Sequence, residues 1–289
     1  MEKPSIGARA LKGVVLLVAV ALVIIPFLMV VATSLADQRQ IADAGGYVLW
    51  PTAPSLDAYI TLLSGQLVPR ALLVSLGVTV VGTLIAVAAT TTLAYSLSRP
   101  GSWGHRPILF GVLLTMLLSP GMIPLYLTIK ELGLINSYWS LILPPAVTAF
   151  QVIIVRGFFL EIPGEIIDAA RVDGASEWRI FLTIVLPLSK AVVAVIGLFS
   201  AVQYWNAFFN AMLYLNDNEK WPIQLVLRTF VVDNATIDAS GATDLGIAAP
   251  PTQALQMAIV VVSMLPIVVV YPFLQRHFAK GMMIGAVKG

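Results

Sequence analysis

The sequence contains no cysteine and only two histidines, His105 and His277. The lack of cysteine excludes a disulfide framework, thiol catalysis and cysteine-ligated metal centres. The two histidines lie in separate polar stretches, so we predict neither a metal site nor a catalytic residue. The net charge is only +2 and no basic run is present, so no nucleic-acid partner is expected.

Charge of either sign is scarce. Charged residues make up 11% of the 289 residues, whereas hydrophobic residues make up 58%. A soluble domain carries roughly 25% charged and about 45–50% apolar residues. The mean hydropathy of +0.91 agrees with this deficit of polar surface. The composition therefore predicts a membrane protein rather than a large soluble protein with buried core helices.

Long apolar stretches free of Lys, Arg, Asp and Glu recur along the chain. A transmembrane helix needs about 20 mostly apolar residues, and each charge at its centre costs ~2.5–3.5 kcal/mol. We predict an all-α membrane protein, with residues 1–289 forming a single domain of six transmembrane helices. The predicted spans are 13–35, 71–98, 107–129, 137–155, 191–216 and 252–275.

The first span also has features of a secretory signal peptide. Lys3, Arg9 and Lys12 precede it, and Ser34-Leu35-Ala36 is an acceptable cleavage site. Its apolar run is longer than the hydrophobic region of about 7–15 residues in a signal peptide, which favours an uncleaved helix.

The basic residues are distributed unevenly between the two sides of the predicted bundle. The segments on the side opposite the termini hold only Arg39, Arg70, Lys130, Lys220 and Arg228. The other twelve of the 17 Lys and Arg residues lie on the side of the termini. Because the cytoplasmic side is richer in Lys and Arg, both termini and the tail 276–289 are predicted to be cytoplasmic. Loops 36–70 and 217–251 then lie outside.

The inner segment 161–187 is polar and amphipathic. Pro163 is suited to the start of a helix, Gly174 to a left-handed cap at its end, and Ser176 to the cap of a second helix. One apolar face is predicted on the second helix, formed by Trp178, Phe181, Leu182 and Val185. These features predict two short helices across a tight turn, which either dock on a partner protein or cover the inner face of the bundle.

This segment resembles the "EAA" signature of ABC importer permeases: Glu-Ala-Ala, three residues, Gly, nine residues, Ile, one residue and Leu-Pro. Here Asp168-Ala169-Ala170, Gly174, Ile184 and Leu186-Pro187 have the same spacing. Asp168 departs from the pattern, and Glu165 lies one turn earlier. The resemblance implies that the segment couples the permease to an ATPase through Glu165, Asp168, Ala169, Ala170, Asp173 and Gly174.

The resemblance covers nearly the whole chain and is closest to sugar permeases similar to the subunits of maltose and alginate-oligosaccharide importers. The segments that carry it are 121–126, 132–139, 204–210, 220–224 and 280–289. It implies a type I ABC importer permease in the bacterial inner membrane, forming half of the path of a sugar or oligosaccharide. The implied partners are a second, homologous permease subunit, two nucleotide-binding ATPase subunits, an extracytoplasmic solute-binding protein, the sugar and membrane lipid.

The chain has no G-x-x-x-x-G-K-[ST] phosphate-binding loop and no carboxylate in a predicted span. It is therefore expected to bind no cofactor, with ATP and Mg²⁺ held by the partner subunits. Two alternatives are a permease for a non-sugar solute and a membrane-embedded enzyme that modifies lipids or glycans. The enzyme would need a histidine or paired-carboxylate cluster at one membrane face.

The fifth span is rich in amides and aromatic rings, which suit sugar hydroxyls and sugar ring faces. Gln203, Asn206 and Asn210 are predicted to share one helical face. Buried amides need partners, either a sugar or a neighbouring helix. The predicted path residues are Gln203, Tyr204, Trp205, Asn206 and Asn210, with Tyr126 in a third span kinked at Pro120 and Pro124.

Two further segments are expected to reach partner proteins. Loop 217–251 is long enough to contact a docked binding protein, as in similar permeases, although it is also compatible with a plain connector. The tail from Phe278 to Gly289 combines glycines with apolar residues, which predicts a flexible segment that docks. Its resemblance to maltose-type permeases implies the ATPase subunits as its partner, and anionic lipid is the alternative.

Overall fold

The computed structural model of the protein describes residues 6–99, 101, 104–118, 120–232 and 252–285, with residues 6, 8–10 and 272–285 described by their backbone alone. All regular structure in these ranges is helical, as predicted. A π-helical turn, Phe181–Val185, joins α10 to α11. The helices are α1 (Ile6–Ser34), α2 (Gln38–Asp43), α3 (Asp57–Ser64), α4 (Leu67–Ser98), α5 (His105–Leu117), α6 (Met122–Glu131), α7 (Trp139–Ile142), α8 (Ala149–Leu160), α9 (Gly164–Val172), α10 (Glu177–Ile180), α11 (Leu186–Leu188), α12 (Lys190–Trp205), α13 (Phe208–Tyr214), α14 (Ile223–Val231) and α15 (Thr252–Gly285).

Among the described residues, three helical stretches are long and apolar enough to cross a membrane: Leu11–Ser34, Leu67–Ser98 and Thr252–Tyr271. A fourth is added if Glu177–Leu188 and Lys190–Trp205, which are bent by 84°, form one broken span. The helices α5 and α8 are apolar but shorter. The number of six spans therefore stays a prediction.

The predicted third span, 107–129, is not one helix. α5 ends at Leu117 and α6 begins at Met122, with Pro120 between them. Pro120 has no amide hydrogen to donate, and its ring clashes with a preceding helical turn. The predicted kink is thus a complete break, whereas Pro124 is accommodated in the first turn of α6.

The predicted fourth span, 137–155, is also broken. α7 is followed by a turn that contains Pro144 and Pro145, and α8 begins after Thr148, whose side chain accepts a hydrogen bond from the Gln151 amide. α8 continues to Leu160, five residues beyond the predicted end. Arg156 therefore lies inside the helix, where its Nε donates to the Leu97 carbonyl at 2.8 Å.

The last helix is longer than predicted. α15 continues to Gly285, so the backbone of residues 276–285 is helical and the expectation of a flexible tail is wrong for them. Extension of an existing helix adds one hydrogen bond per residue and avoids the cost of nucleation. Residues 286–289 of the tail and 233–251 of the predicted outer loop lie outside the described residues.

The chain divides into two compact units. One comprises Met1–Arg70 and Val226–Pro266. In this unit, the hydroxyl groups of Ser34 and Tyr59 lie 2.6 Å apart, and the amide of Val48 donates to Thr33 Oγ1 at 2.9 Å. These bonds fasten the segment that follows α1 to the last turn of that helix.

The other unit comprises Ala71–Leu225 and Ile267–Gly289. It contains two buried apolar clusters, which we name after a central residue. The Phe159 cluster consists of Ala94, Tyr95, Leu97, Val152, Val155, Phe159, Ile167, Ile180, Phe181, Val185, Val192 and Ile196. The Tyr214 cluster consists of Val78, Ala86, Ile129, Leu141, Ile142, Tyr204, Ala211, Tyr214, Leu215 and Leu225. The Phe159 cluster supports segment 161–187, and the Tyr214 cluster supports the predicted path residues.

Candidate functional site

The first helix of segment 161–187 has the predicted start and end. Pro163 precedes α9, and Gly174 follows it with φ +79°. The Gly174 amide donates to the Arg171 carbonyl at 3.0 Å, and the Ala175 amide donates to the Ala170 carbonyl at 2.9 Å. This pair of bonds is the Schellman motif, in which glycine takes the left-handed position because it has no Cβ atom. The chain therefore reverses sharply after α9.

The second helix begins as predicted and then departs from the prediction. Ser176 accepts a hydrogen bond from the Arg179 amide and caps α10. Residues 181–185 form the π-helical turn, which holds more residues per turn than an α-helix. Of the predicted apolar face, Phe181 and Val185 are buried within the chain, whereas Trp178 is 62% exposed and Leu182 55% exposed.

The outer surface of α9 has few partners within the chain. Ile167, 1% exposed, is its buried residue and joins the Phe159 cluster. Ala170 is half-buried against the same cluster. The other residues that the resemblance singled out are exposed, namely Glu165, Asp168, Ala169, Asp173 and Gly174. This exposed face combines carboxylates with a small side chain, so another protein can approach its backbone closely.

Arg171 joins the two short helices. Its Nη1 lies 3.2 Å from Asp168 Oδ1, and its Nη2 lies 2.8 Å from Glu177 Oε1. The hydrogen bond to the Glu177 carboxylate raises the pKa of Arg171 above its ordinary value. Asp168, which replaces the glutamate of the EAA pattern, is therefore engaged within the segment.

Tyr95 attaches the segment to the end of α4. Its hydroxyl donates to Glu177 Oε2 at 2.6 Å, and its ring packs against Phe159 and Phe181 with centroid distances of 6.4 and 5.0 Å. Arg99 directly follows α4, and its Cζ atom lies 4.8 Å from the centroid of the Tyr95 ring. Tyr95 was not predicted as a site residue, because it lies 82 residues from Glu177 in the sequence. Arg171 and Glu177 lie within the segment but were not among the predicted coupling residues.

The predicted path residues are divided by a break in the chain. α12 ends at Trp205 and α13 begins at Phe208. An inverse γ-turn centred on Ala207 separates the two helices. Ala207 has φ −76° and ψ 61°, and the Phe208 amide donates to the Asn206 carbonyl at 2.8 Å. Asn206 and Asn210 therefore do not lie on one continuous helical face, and that prediction is wrong.

The amides at this break differ in environment. Gln203 and Asn206 are exposed and Asn210 is half-buried. Asn206 Nδ2 donates to the Val202 carbonyl at 2.9 Å, which leaves its side-chain oxygen available to another donor.

Tyr204 and Trp205 lie in the core instead of on an accessible surface. They are 3% and 4% exposed. The Tyr204 hydroxyl donates to the Ile142 carbonyl at 2.8 Å, so its hydrogen-bonding requirement is met within the chain. The chain itself covers both rings, and their place in the path stays a prediction.

Tyr126 is half-buried on α6. Its ring stacks on Tyr214 with a centroid distance of 6.1 Å and an interplanar angle of 23°. One face of the ring is thus occupied by Tyr214, and the break before α6 separates Tyr126 from α5. The structure brings Tyr126 to the Tyr214 cluster, the same cluster that holds Tyr204.

No group of three or more His, Cys, Asp or Glu residues able to hold a metal ion occurs in the described ranges.

Comparison with known proteins identifies relatives over almost the full length. A family model described as "Binding-protein-dependent transport system inner membrane component" matches residues 8–284. The chain is 44% identical over 274 residues to the polygalacturonan/rhamnogalacturonan transport system permease protein YtcP of Bacillus subtilis (strain 168), which covers 95% of this chain and 96% of YtcP. It is 45% identical over 269 residues to Protein LplC of the same strain, covering 93% of this chain and 90% of LplC.

A solved structure has the same fold. The crystal structure of a bacterial ABC transporter involved in the import of the acidic polysaccharide alginate contains a chain that matches with a TM-score of 0.88 and 28% identity, over 96% of this chain and 100% of that chain. The membrane-embedded enzyme considered above is thereby set aside. The protein belongs to the family of inner membrane components of binding-protein-dependent transport systems, and it is a permease subunit of an ABC transporter.

Proposed function

We propose that this permease forms half of the translocation path of an importer for oligosaccharides. The names of its relatives support this substrate class: YtcP is named for the transport of polygalacturonan or rhamnogalacturonan, and the similar crystal structure belongs to a transporter of alginate. The absence of charged residues from the predicted spans also suits a path lined by neutral polar groups. A second, homologous permease subunit supplies the other half.

The observation that carries the proposal is the exposed α9 helix, which follows Pro163 and ends in the cap at Gly174. Its buried side is held by Ile167, while Glu165, Asp168 and Ala169 face outward. Helix N-terminal carboxylates and a small side chain suit insertion into a groove of a partner protein. We assign this groove to an ATPase subunit, of which the complete transporter has two. Those subunits bind ATP and Mg²⁺.

The distribution of Lys and Arg supports the orientation of the permease in the inner membrane. Both termini and segment 161–187 face the cytoplasm, where the ATPase subunits are. The predicted loops 36–70 and 217–251 face outward, toward the solute-binding protein that delivers the sugar. The family description, binding-protein-dependent transport, supports this partner.

For the path, we retain the amides at the break between α12 and α13. Gln203 and Asn206 are exposed, and Asn210 is half-buried. A break in a helix frees backbone carbonyls and amides for a ligand. Tyr126 remains a candidate through the ring face that Tyr214 leaves uncovered.

The test is reconstitution of the complete transporter in lipid vesicles, with the solute-binding protein outside. We expect ATP hydrolysis and uptake to rise when that protein is loaded with oligogalacturonides or alginate oligomers. Stimulation by sn-glycerol-3-phosphate but not by any oligosaccharide would assign the transporter to a non-sugar solute. A complex that no loaded binding protein stimulates would contradict the proposed function altogether.

A further inference from the structure

The carboxylate of Glu177 connects three helices. Its Oε2 accepts the hydroxyl of Tyr95, which lies in the last turn of α4. Its Oε1 accepts Nε of Arg171, in the last turn of α9, at 2.9 Å. Glu177 itself is the first residue of α10. One side chain therefore joins the end of a long apolar helix to both halves of the coupling segment.

Few other contacts fix the angle of α9. Ile167 is its buried residue, whereas Val172 at its end is 88% exposed. Burial of one isoleucine side chain and a hydrogen bond to a charged group stabilise a fold by similar amounts. The contacts of Glu177 are thus comparable in strength with the apolar contact of the helix.

Of the two contacts, the bond from Tyr95 is the stronger. The side chains of Arg171 and Glu177 are 46% and 53% exposed, and ion pairs at the surface contribute little because water screens them. Tyr95 is 8% exposed, and its O–H···O⁻ bond of 2.6 Å has the short length of a charge-assisted bond.

The position of the Tyr95 hydroxyl is fixed by the ring that carries it. Phe159 and Phe181 pack against the ring, and the guanidinium of Arg99 lies over its face. A rotation of α9 and α10 must therefore either move α4 or break the bond to Glu177.

α4 in turn touches the helix that carries the path amides. A Cβ atom at Gly82 of α4 would lie 2.7 Å from the ring of Tyr204 in α12, and Asn206 follows the end of α12. A continuous series of packed groups thus runs from α9 through Glu177, Tyr95 and α4 to the break at residues 206–207.

We propose that Tyr95 is a positioning residue that transmits movement of the coupling segment to α4 through Glu177. This inference rests on the proposed function, because α9 must first receive a movement from an ATPase subunit. Tyr95 contacts neither substrate nor ATP; its hydroxyl keeps the coupling segment and α4 moving as one body.

The test compares Tyr95→Phe with Tyr59→Phe in the complete transporter in lipid vesicles. Each variant loses one hydroxyl that lies 2.6 Å from its partner, Glu177 Oε2 for Tyr95 and Ser34 Oγ for Tyr59. Tyr95→Phe is expected to lower about tenfold the stimulation of ATP hydrolysis by the loaded binding protein, the effect of one charge-assisted hydrogen bond. Tyr59→Phe is expected to keep the wild-type stimulation, and both are expected to assemble.

Wild-type stimulation in Tyr95→Phe overturns the inference, and so does an equal loss in both variants, which indicates general destabilisation. If the wild-type complex itself is not stimulated, the proposed function fails and this inference with it. The three outcomes are therefore distinguishable in one experiment.

A second measurement applies if Tyr95→Phe does not assemble with its partners. The chain has no native cysteine, so spin labels at Val172→Cys and Ala88→Cys, both exposed positions, report the distance between α9 and α4 in the full-length permease in nanodiscs. Tyr95→Phe is expected to broaden the distance distribution. A distribution as narrow as that of the wild type overturns the inference.

Discussion

The ring of Tyr204 lies directly against the backbone of Gly82, so that a Cβ atom at position 82 would come within 2.7 Å of ring carbon Cζ. The Tyr204 ring is fixed in turn by its hydroxyl, which donates to the Ile142 carbonyl. α4 and α12 can approach this closely only because position 82 has no side chain. This contact predicts that a side chain at position 82 lowers the stability of the permease.

Gly82→Ala is expected to destabilise the permease by about 1–3 kcal/mol, because the added methyl group overpacks a buried contact. Thermal unfolding of the purified protein, followed by intrinsic fluorescence, measures the effect. Gly77→Ala is the matched control on the same helix, since a Cβ atom there has nothing within 4 Å. Equal unfolding temperatures for the two variants would contradict this packing.

Gly174→Pro is expected to uncouple ATP hydrolysis from the loaded binding protein while the permease still inserts in the membrane. Proline cannot adopt φ +79° and removes the amide that donates to Arg171. The stimulated ATPase rate of the reconstituted complex, relative to its basal rate, is the measurement.

The end of α6 offers a control for that variant. Gly133 has φ +68°, its amide donates to the Lys130 carbonyl, and the Leu134 amide donates to the Ile129 carbonyl. Gly133→Pro therefore removes the same kind of cap outside the coupling segment. It is expected to lower stability similarly and to preserve the ratio of stimulated to basal hydrolysis. If normal sugar-stimulated hydrolysis and transport persist in Gly174→Pro, the assignment of the coupling segment is wrong.

Replacement of Asn206 or Asn210 by Leu is expected to weaken sugar uptake by about tenfold, the effect of one hydrogen bond of ~1–1.5 kcal/mol. Complex assembly and basal ATP hydrolysis are expected to remain. Asn218→Leu, an exposed amide outside the break, controls for the change in polarity. Failure of assembly in the Asn206 or Asn210 variants would show that these amides hold helices together instead.

Truncation after Phe278 is expected to reduce the coupling of ATP hydrolysis to transport, with normal insertion and normal docking of the binding protein. The helical backbone of residues 279–285 gives the tail a defined shape with which to contact the ATPase subunits. Uptake by the truncated permease is compared with that of the full chain. Undiminished uptake would exclude a role of the tail in coupling.

The local signals in segment 161–187 were sufficient to predict its turns. Gly174 and Ser176 cap the two short helices at the predicted positions, because a left-handed residue and a hydroxyl acceptor act within a few residues of themselves. The sequence did not reveal the π-helical turn, because a regular period of 3.6 was assumed through Leu182; Trp178 precedes that turn and packs edge-on against Phe181.

Contacts between distant residues were not predictable from the sequence. Nothing near Tyr95 distinguishes it from other tyrosines at the end of an apolar helix, where aromatic rings are common. Its bond to Glu177 depends on how α4 packs on the coupling segment. The error for Asn206 and Asn210 was a local one. Their spacing of four residues predicts one face only on a continuous helix, and the turn at Ala207 interrupts the helix between them.

The π-helical turn also affects how related permeases are compared by their sequence spacing. The nine residues between Gly174 and Ile184 include residues 181–183 of that turn, and each residue of an α-helix adds about 100° of rotation. A relative with one residue fewer in this interval can keep both flanking helices in place by forming an ordinary α-helix there. An alignment gap at residues 181–185 would then mean that an α-helical turn replaces the π-helical turn, while the coupling segment keeps its orientation.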